Sequence, residues 1–216
     1  LMQNDLKRLI AYSSVSHMGF ITLGIFTLNQ AGIEGGILQM INHGVITGAL
    51  FLCVGMIYER TNTRMIKDYG GLFKSVPVFT VFFAIFTLAA IGFPGMNAFV
   101  GEFLIISGTF KVNMVIASFS ILGVILGATY MVWLYYRVAL NEINSATKSR
   151  LFDLDLREIA TLVPLVVLVF LIGVQPNILL SYMHVSVEHL LEQVHATVIS
   201  DTNPLYDSVI GIAQYI

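Results

Sequence analysis

Five long apolar segments constrain what this chain can fold into more than any other feature of its sequence. Each segment is at least as long as the roughly 20 apolar residues that an α-helix needs to cross the hydrocarbon core of a bilayer. We therefore predict an all-α integral membrane protein with about five transmembrane helices. The segments cover residues 9–28, 36–58, 76–110, 114–140 and 159–180.

The composition agrees with a membrane protein and argues against several other classes. Hydrophobic residues make up 56% of the chain and charged residues 11%, whereas charged residues are about 25% of an ordinary soluble domain. The net charge of −2, without a basic stripe, argues against a nucleic-acid-binding protein. One cysteine, Cys53, can form neither an internal disulfide nor a CxxC motif, and we predict that it is a buried packing residue.

The two ends of the chain suggest how it is organised. The chain begins at Leu1 without the pattern of a signal peptide, so we expect it to be the C-terminal part of a longer protein. We assign residues 1–185 to a transmembrane domain and residues 186–216 to a tail. Apolar residues recur at near-helical spacing after Ser181, with Glu188 between them. This pattern predicts an amphipathic helix along the membrane or a neighbouring subunit, and a solvated end is the alternative.

The third apolar segment is interrupted by Gly92-Phe93-Pro94-Gly95. Proline removes a helix hydrogen bond and clashes with the preceding turn, so we predict a helix break at Pro94 and Gly95. Backbone freed in this way is tolerated within a membrane only where it faces protein or a watery cavity.

The positive charges support five crossings, with the broken segment counted as one kinked crossing. In that topology Lys111 is the only lysine or arginine on one side of the membrane. The positive-inside rule then assigns the other side to the cytoplasm, or to the mitochondrial matrix. That side holds ten of the 11 lysines and arginines: Lys7, Arg8, Arg60, Arg64, Lys67, Lys74, Arg137, Lys148, Arg150 and Arg157.

Glu102 is the strongest candidate for a functional residue. It is interpreted as the only carboxylate well inside a span, and it follows the Pro94-Gly95 break. An ionisable group in hydrocarbon is costly, so it normally faces protein or water and marks an ion path. The alternative is that Glu102 lies near a helix end and is simply hydrated.

Two histidines also lie within spans. His17 is in the middle of the first segment and His43 is in the middle of the second. Histidine titrates near neutrality and can pass a proton between its two nitrogens, although a membrane histidine also commonly forms a hydrogen bond between helices. Two histidines and one acid on three successive spans favour a proton relay. Several polar neighbours could hold bridging waters or simply pack: Ser13, Ser14, Ser16, Asn42 and Thr47.

The remaining polar features have less specific interpretations. Lys7 is either a topological anchor at the positive face or a group that opens and closes a proton half-channel. Four residues of the fourth segment resemble an interfacial aromatic belt: Tyr130, Trp133, Tyr135 and Tyr136. Because the sequence has no phosphate loop, metal-ligand cluster or nucleophile triad, we expect no covalent catalysis, no cofactor and no metal in this chain.

Four stretches of the sequence resemble the antiporter-like membrane subunits of respiratory complex I, the NADH:quinone oxidoreductase. They are the stretch from Asp5 to Phe20, the stretches Gln39–Gly44 and Leu50–Gly55, and the stretch from Gly92 to Phe103. The resemblance covers about residues 3–185. Sister subunits and many cation/proton antiporters carry lysine at the position of Glu102. The Gly101-Glu102-Phe103 motif therefore resembles the one subunit of the family that carries glutamate there.

The resemblance implies the second half of a fourteen-helix antiporter-like fold and a proton-translocating function. It implies that Glu102, His17, His43 and Lys7 belong to the proton path. NADH, flavin, iron–sulfur clusters and quinone are expected in partner subunits, and the partners are the lipid bilayer and other membrane subunits of the complex, especially sister antiporter-like subunits. The location would be a bacterial or mitochondrial inner membrane.

Two alternatives remain open. One is a subunit of a cation/proton antiporter or of a membrane-bound hydrogenase complex. The other is a passive membrane scaffold, which has no evident need for a buried glutamate or a broken span.

Overall fold

The computed structural model describes residues 3–141 and 151–213, and eight α-helices lie in those residues. No strand occurs in the described part of the chain, where one isolated antiparallel bridge joins Asp5 to Met65. A 3₁₀ turn covers Ile66–Asp68, and α6 continues as a π-helical turn over Tyr136–Leu140. The helices are α1 (Leu6–Phe26), α2 (Gln30–Thr61), α3 (Leu72–Ser75), α4 (Pro77–Ala90), α5 (Asn97–Val112), α6 (Met114–Tyr135), α7 (Leu156–Val174) and α8 (Asn177–Ala213).

Four stretches are long and apolar enough to cross a membrane, namely α1, α2, α6 with its π turn, and α7. The shorter helices α4 and α5 together form the fifth crossing. Large apolar side chains remain exposed along α6, including Met114 and Phe119, as expected of a helix that faces lipid or other protein. The prediction of about five spans, one of them broken, is confirmed.

Side-chain caps fix where the helices begin. The carboxylate of Asp5 accepts a hydrogen bond from Arg8 N at the start of α1, and the side chain of Asn29 accepts one from Gly32 N at the start of α2. Asp155 and Glu158 form a reciprocal capping box at the start of α7. These contacts satisfy N–H groups that have no partner within the helix. Short polar residues therefore mark the helix starts between apolar runs.

The predicted break in the third segment is present. Residues 91–96 lie outside α4 and α5, and Gly92 and Gly95 have φ angles of 75° and 90°. Glycine adopts positive φ without the steric cost of a Cβ atom. Helix resumes at Asn97, so Glu102 lies in the second turn of α5.

Hydrogen bonds at the two ends of the bundle show that α4 and α5 make one kinked crossing. At one end, Val78 N and Phe79 N donate to the carboxylate of Asp153, just before α7. At the other end, Asn29 Nδ2 at the start of α2 donates to Gly108 O near the end of α5. The start of α4 and the end of α5 therefore lie at opposite ends of the bundle. Two of the basic residues assigned to the positive face, Lys148 and Arg150, lie outside the described residues.

The end of the fifth segment differs from the prediction. We expected a span over 159–180, but α7 ends at Val174 and α8 begins at Asn177. Pro176 explains the difference, because a proline disfavours helical backbone in the residue before it, here Gln175. The start of α8 packs on α2 through Ile33, Val187 and Leu191. The proposed domain boundary at 185 falls inside α8 and stays a prediction.

Candidate functional site

Glu102 is buried where α5 crosses α2, and only 6% of the residue is exposed. Gly101 makes this approach possible, because a Cβ atom at Gly101 would lie 3.1 Å from the Cβ of Gln39 and would also meet Gln39 Oε1. With the two backbones this close, Gln39 Nε2 donates to Glu102 Oε1 at 3.5 Å. The carboxylate is therefore held inside the bundle, which argues against the alternative that it is a hydrated end group.

Two histidines, one on α1 and one on α2, lie beside each other, and the first of them lies beside Glu102. His17 Nδ1 on α1 lies 3.5 Å from Glu102 Oε1, and the side chain of His17 is 14% exposed. The ring of His17 lies 5.4 Å from the ring of His43 on α2, measured between centroids. Thr47 Oγ1 lies 3.1 Å from His43 Nδ1. Three of the residues predicted to form a proton path are thus brought together in one cluster, which we call the Glu102–His17–His43 cluster.

Two small cavities, each of about 10 Å³, adjoin this cluster. One is lined by His17, Glu102 and Tyr130, among others, and the second by His17, Gln39 and His43. A volume of this order holds about one water molecule. Tyr130 was predicted to belong to an interfacial belt, and that interpretation is wrong for this residue because its ring lines the cavity beside Glu102.

The predicted water-holding hydroxyls are mostly used within their own helix. Ser13 Oγ donates to Ile10 O at 2.7 Å, and Ser14 Oγ lies 3.4 Å from the same carbonyl. Ser16 lines one of the two cavities and Thr47 lines the other. Ser13 lines the same cavity as Thr47, and Thr47 also contacts the ring of His43.

Amide side chains form a second group of buried polar residues, of which we had predicted a possible contact with water only for Asn42. Asn42 Nδ2 on α2 donates to Asn97 O at 2.8 Å, at the first residue of α5. Gln39 lies one turn from Asn42 on the same face of α2 and contacts Glu102. The signal was present in the sequence, because Gln39, Asn42 and Asn97 are amides inside apolar segments.

Lys7 is not brought to the cluster. It lies in the first turn of α1, ten residues or about 15 Å of helix before His17. Its side chain lines a separate pocket of about 330 Å³ together with Tyr58 and Arg64, and the guanidinium of Arg64 lies 4.5 Å from the Tyr58 ring centre.

A second carboxylate is buried within a long apolar helix, and this corrects the prediction that Glu102 is the only one. Glu34 on α2 is 8% exposed, and its Oε1 lies 2.7 Å from His184 Nδ1 on α8. Gln30 also donates to this carboxylate. We placed the start of the second span at residue 36, whereas α2 begins at Gln30. The Asn29 cap marks that earlier start.

The described residues contain no group of three or more His, Cys, Asp and Glu side chains that could hold a metal ion. A carboxylate and two imidazoles in contact, as in the Glu102–His17–His43 cluster, can bind a proton and pass it between them.

A family profile described as "NADH:quinone oxidoreductase/Mrp antiporter, TM" matches residues 1–128. The chain is 48% identical over 196 residues to NADH-quinone oxidoreductase subunit M of Rhodobacter capsulatus, with 91% of this chain and 38% of that protein covered. It is 47% identical over 197 residues to NADH-ubiquinone oxidoreductase chain 4 of Chondrus crispus, with 91% of this chain and 40% of that protein covered.

The fold is also similar to a chain in the structure of respiratory complex I from Thermus thermophilus with bound NADH. The TM-score is 0.82 at 35% sequence identity, and the match covers 88% of this chain and 40% of that chain. The sequence therefore spans well under half the length of these relatives. Together with the apolar helices, these similarities establish an integral membrane protein.

Proposed function

The chain belongs to the NADH:quinone oxidoreductase/Mrp antiporter family of membrane proteins, and from this premise we propose that it is a proton-translocating part of an NADH:quinone oxidoreductase. Electron transfer takes place in other subunits, and this chain moves protons in response. The relatives named NADH-quinone oxidoreductase subunit M and NADH-ubiquinone oxidoreductase chain 4 support this assignment.

The observation that carries the proposal is the contact between Glu102 and His17 beside the helix break. Glu102 is the buried proton-binding group, and His17 and His43 form the relay that fills and empties it. An isolated charged carboxylate within the membrane is costly, so Glu102 depends on its contacts with Gln39 and His17.

Lys7 has a different proposed role from the Glu102–His17–His43 cluster. It lies at the end of the bundle where α1 begins and α2 ends, in a pocket with Arg64. We assign it to the access side of the path, where its charge controls proton entry, and not to the Glu102–His17–His43 cluster.

We also propose which subunits and which membrane surround this chain. NADH, flavin, iron–sulfur clusters and quinone are bound by partner subunits, and other membrane subunits of the complex, including sister antiporter-like subunits, contact this one. The membrane is the bacterial inner membrane or the mitochondrial inner membrane, with the basic end of the bundle facing the cytoplasm or the matrix.

Glu102→Gln tests the proposed function, because glutamine keeps the size and hydrogen bonding of glutamate but cannot release a proton. In the assembled complex, quantified on native gels, we expect coupled NADH:quinone turnover and proton pumping to fall together by at least about tenfold. Glu102→Asp should retain part of the activity. The matched control is Glu59→Gln, which removes an exposed carboxylate near the end of α2.

Two results would overturn the proposal. The first is that the complex with Glu102→Gln assembles and pumps protons at the parental rate and proton-to-electron ratio. The second is cation/proton exchange by the assembled protein that is independent of NADH oxidation, which would place it among the antiporters of the same family.

A further inference from the structure

We infer that Gln39, Asn42 and Asn97 form a water-binding site that extends the proton path from Glu102 to the helix break. We call these residues the amide triad. The inference rests on the proposed function, because it assigns a role within the same path. It concerns residues on α2 and α5 that do not themselves titrate.

The first observation is that the amide triad holds every buried side-chain nitrogen or oxygen without a protein hydrogen-bond partner in the described part of the chain. These atoms are Gln39 Oε1, Asn42 Oδ1, Asn97 Nδ2 and Asn97 Oδ1. Their residues are 1%, 0% and 0% exposed. Buried polar groups in proteins are nearly always paired, with protein or with ordered water, so a concentration of four at one place indicates a ligand there.

The second observation is that the three amides lie together and beside Glu102. Gln39 and Asn42 are three residues apart on one face of α2, and Asn97 begins α5 opposite them. Asn42 Nδ2 donates to Asn97 O at 2.8 Å, while Gln39 Nε2 lies 3.5 Å from Glu102 Oε1. The triad therefore connects the carboxylate with the residues that directly follow the break.

The chemistry of the free atoms identifies the ligand class. Three of them are oxygens that accept hydrogen bonds, and the fourth is the Asn97 amide nitrogen, which donates. A metal cation would bind only the oxygens and leave the nitrogen buried without a partner, and an anion would do the reverse. Water both donates and accepts, so water alone among these ligands satisfies the whole set.

The position also gives these waters a function. Water bonded to Asn97 and Gln39 would stand next to Glu102, and a proton released by the carboxylate needs an acceptor within hydrogen-bond distance. Gln39 of the triad also lines the small cavity bordered by His17 and His43. The amide triad thus holds the waters that accept protons from Glu102 or deliver protons to it.

A direct test is a cryo-electron microscopy map of the unmodified assembled complex at a resolution that shows ordered water. We expect density within hydrogen-bond distance of both Asn97 Nδ2 and one of the free amide oxygens. Density that contacts only the three oxygens, and that changes when sodium is replaced by a large organic cation, would overturn the water assignment in favour of a cation. A map with no density at the triad would overturn the inference outright.

A functional test uses Gln39→Met and Asn97→Leu, which keep approximate volume and remove the amides. The control is Thr109→Val, since Thr109 is also buried in α5 but its hydroxyl already bonds Ile105 O at 2.7 Å. At equal assembly we expect the two amide variants to pump at least about tenfold more slowly than the control. Asn97→Ser, which restores a small polar group, should recover part of the rate.

The two proposals fail separately. If Glu102→Gln pumps normally, the proposed function is wrong. If Glu102→Gln is inactive but Gln39→Met and Asn97→Leu pump like Thr109→Val, only the role of the amide triad is wrong. Should an amide variant fail to assemble, the map of the unmodified complex still decides whether water is bound.

Discussion

The carboxylate of Glu102 lies against the α-carbon of Gly92, so that a Cβ atom at position 92 would be 2.5 Å from Glu102 Oε2. Gly92 therefore contributes in two ways, since its φ of 75° favours glycine and its missing side chain leaves room for the carboxylate. The helix break and the buried acid are one structural unit, in which the non-helical turn sets the position of Glu102 relative to His17.

This relationship predicts that Gly92→Ala and Gly95→Ala will differ in activity although both strain the backbone. Gly95 has a φ of 90° but nothing within 4 Å of its would-be Cβ atom. We expect both variants to lose about 1–2 kcal/mol of stability from the positive φ. In Gly92→Ala the new methyl group also displaces the carboxylate, so proton pumping per assembled complex should fall in that variant alone.

The measurement is proton pumping normalised to the amount of complex on native gels, together with thermal inactivation of each variant. Equal pumping by the Gly92 and Gly95 variants would show that the contact between Gly92 and Glu102 does not position the carboxylate.

The sequence was sufficient to predict the number of spans and the break, although not every span end, for identifiable physical reasons. Apolar runs of about 20 residues predict helices that cross a bilayer, and Pro94 predicts a helix break because proline removes a helix hydrogen bond. These signals are local, and each depends only on neighbouring residues.

Contacts between helices were predicted less well, because hydropathy alone does not fix how a helix is rotated or how far it slides along its neighbour. A relay of Glu102, His17 and His43 was predicted because the three residues lie within three successive spans. The distance of Lys7 from that cluster and the contact of Gln39 with Glu102 depend on rotation and register. Glu34 was missed because the Asn29 cap, and not the apolar run, determines where α2 begins.

A second prediction concerns Arg60 at the end of α2. The side chain of Arg60 makes several contacts. Its guanidinium forms two hydrogen bonds with Glu158, at 2.8 Å and 2.5 Å, and lies 4.3 Å from the ring centre of Phe152. The side chains of Arg60 and Glu158 are 5% and 17% exposed. Removing one partner of a buried ion pair leaves the other charge uncompensated and costs about 3–5 kcal/mol.

We therefore expect Arg60→Met to lower the thermal stability of the assembled complex markedly. The double variant Arg60→Met/Glu158→Leu should be more stable than the single variant, because no unpaired charge remains. Arg64→Met is the control, since the side chain of Arg64 is exposed and stacks on Tyr58, a contact worth about 0.5–1 kcal/mol. A double variant less stable than Arg60→Met would contradict an ion pair as the main role of these residues.

The last prediction concerns the attachment of α8 to α2 by Glu34 and His184. The carboxylate of Glu34 is buried, while the side chain of His184 is 60% exposed, and the two lie 2.7 Å apart. Gln30 Nε2 donates to His184 O at 3.1 Å, which adds a second polar contact beside the apolar one through Ile33 and Val187. Because one partner is exposed to solvent, we expect the pair to contribute about 1–2 kcal/mol.

Glu34→Leu should thus loosen the start of α8 without unfolding the bundle. Hydrogen–deuterium exchange of residues 177–194 should become about five- to thirtyfold faster, the range that corresponds to 1–2 kcal/mol, while exchange in α4 and α5 stays unchanged. Glu188→Gln, at an exposed position of the same helix, is the control and should leave exchange at the parental rate. If both variants exchange equally fast, the apolar contact of Ile33 with Val187 holds α8 by itself and Glu34 contributes nothing to its attachment.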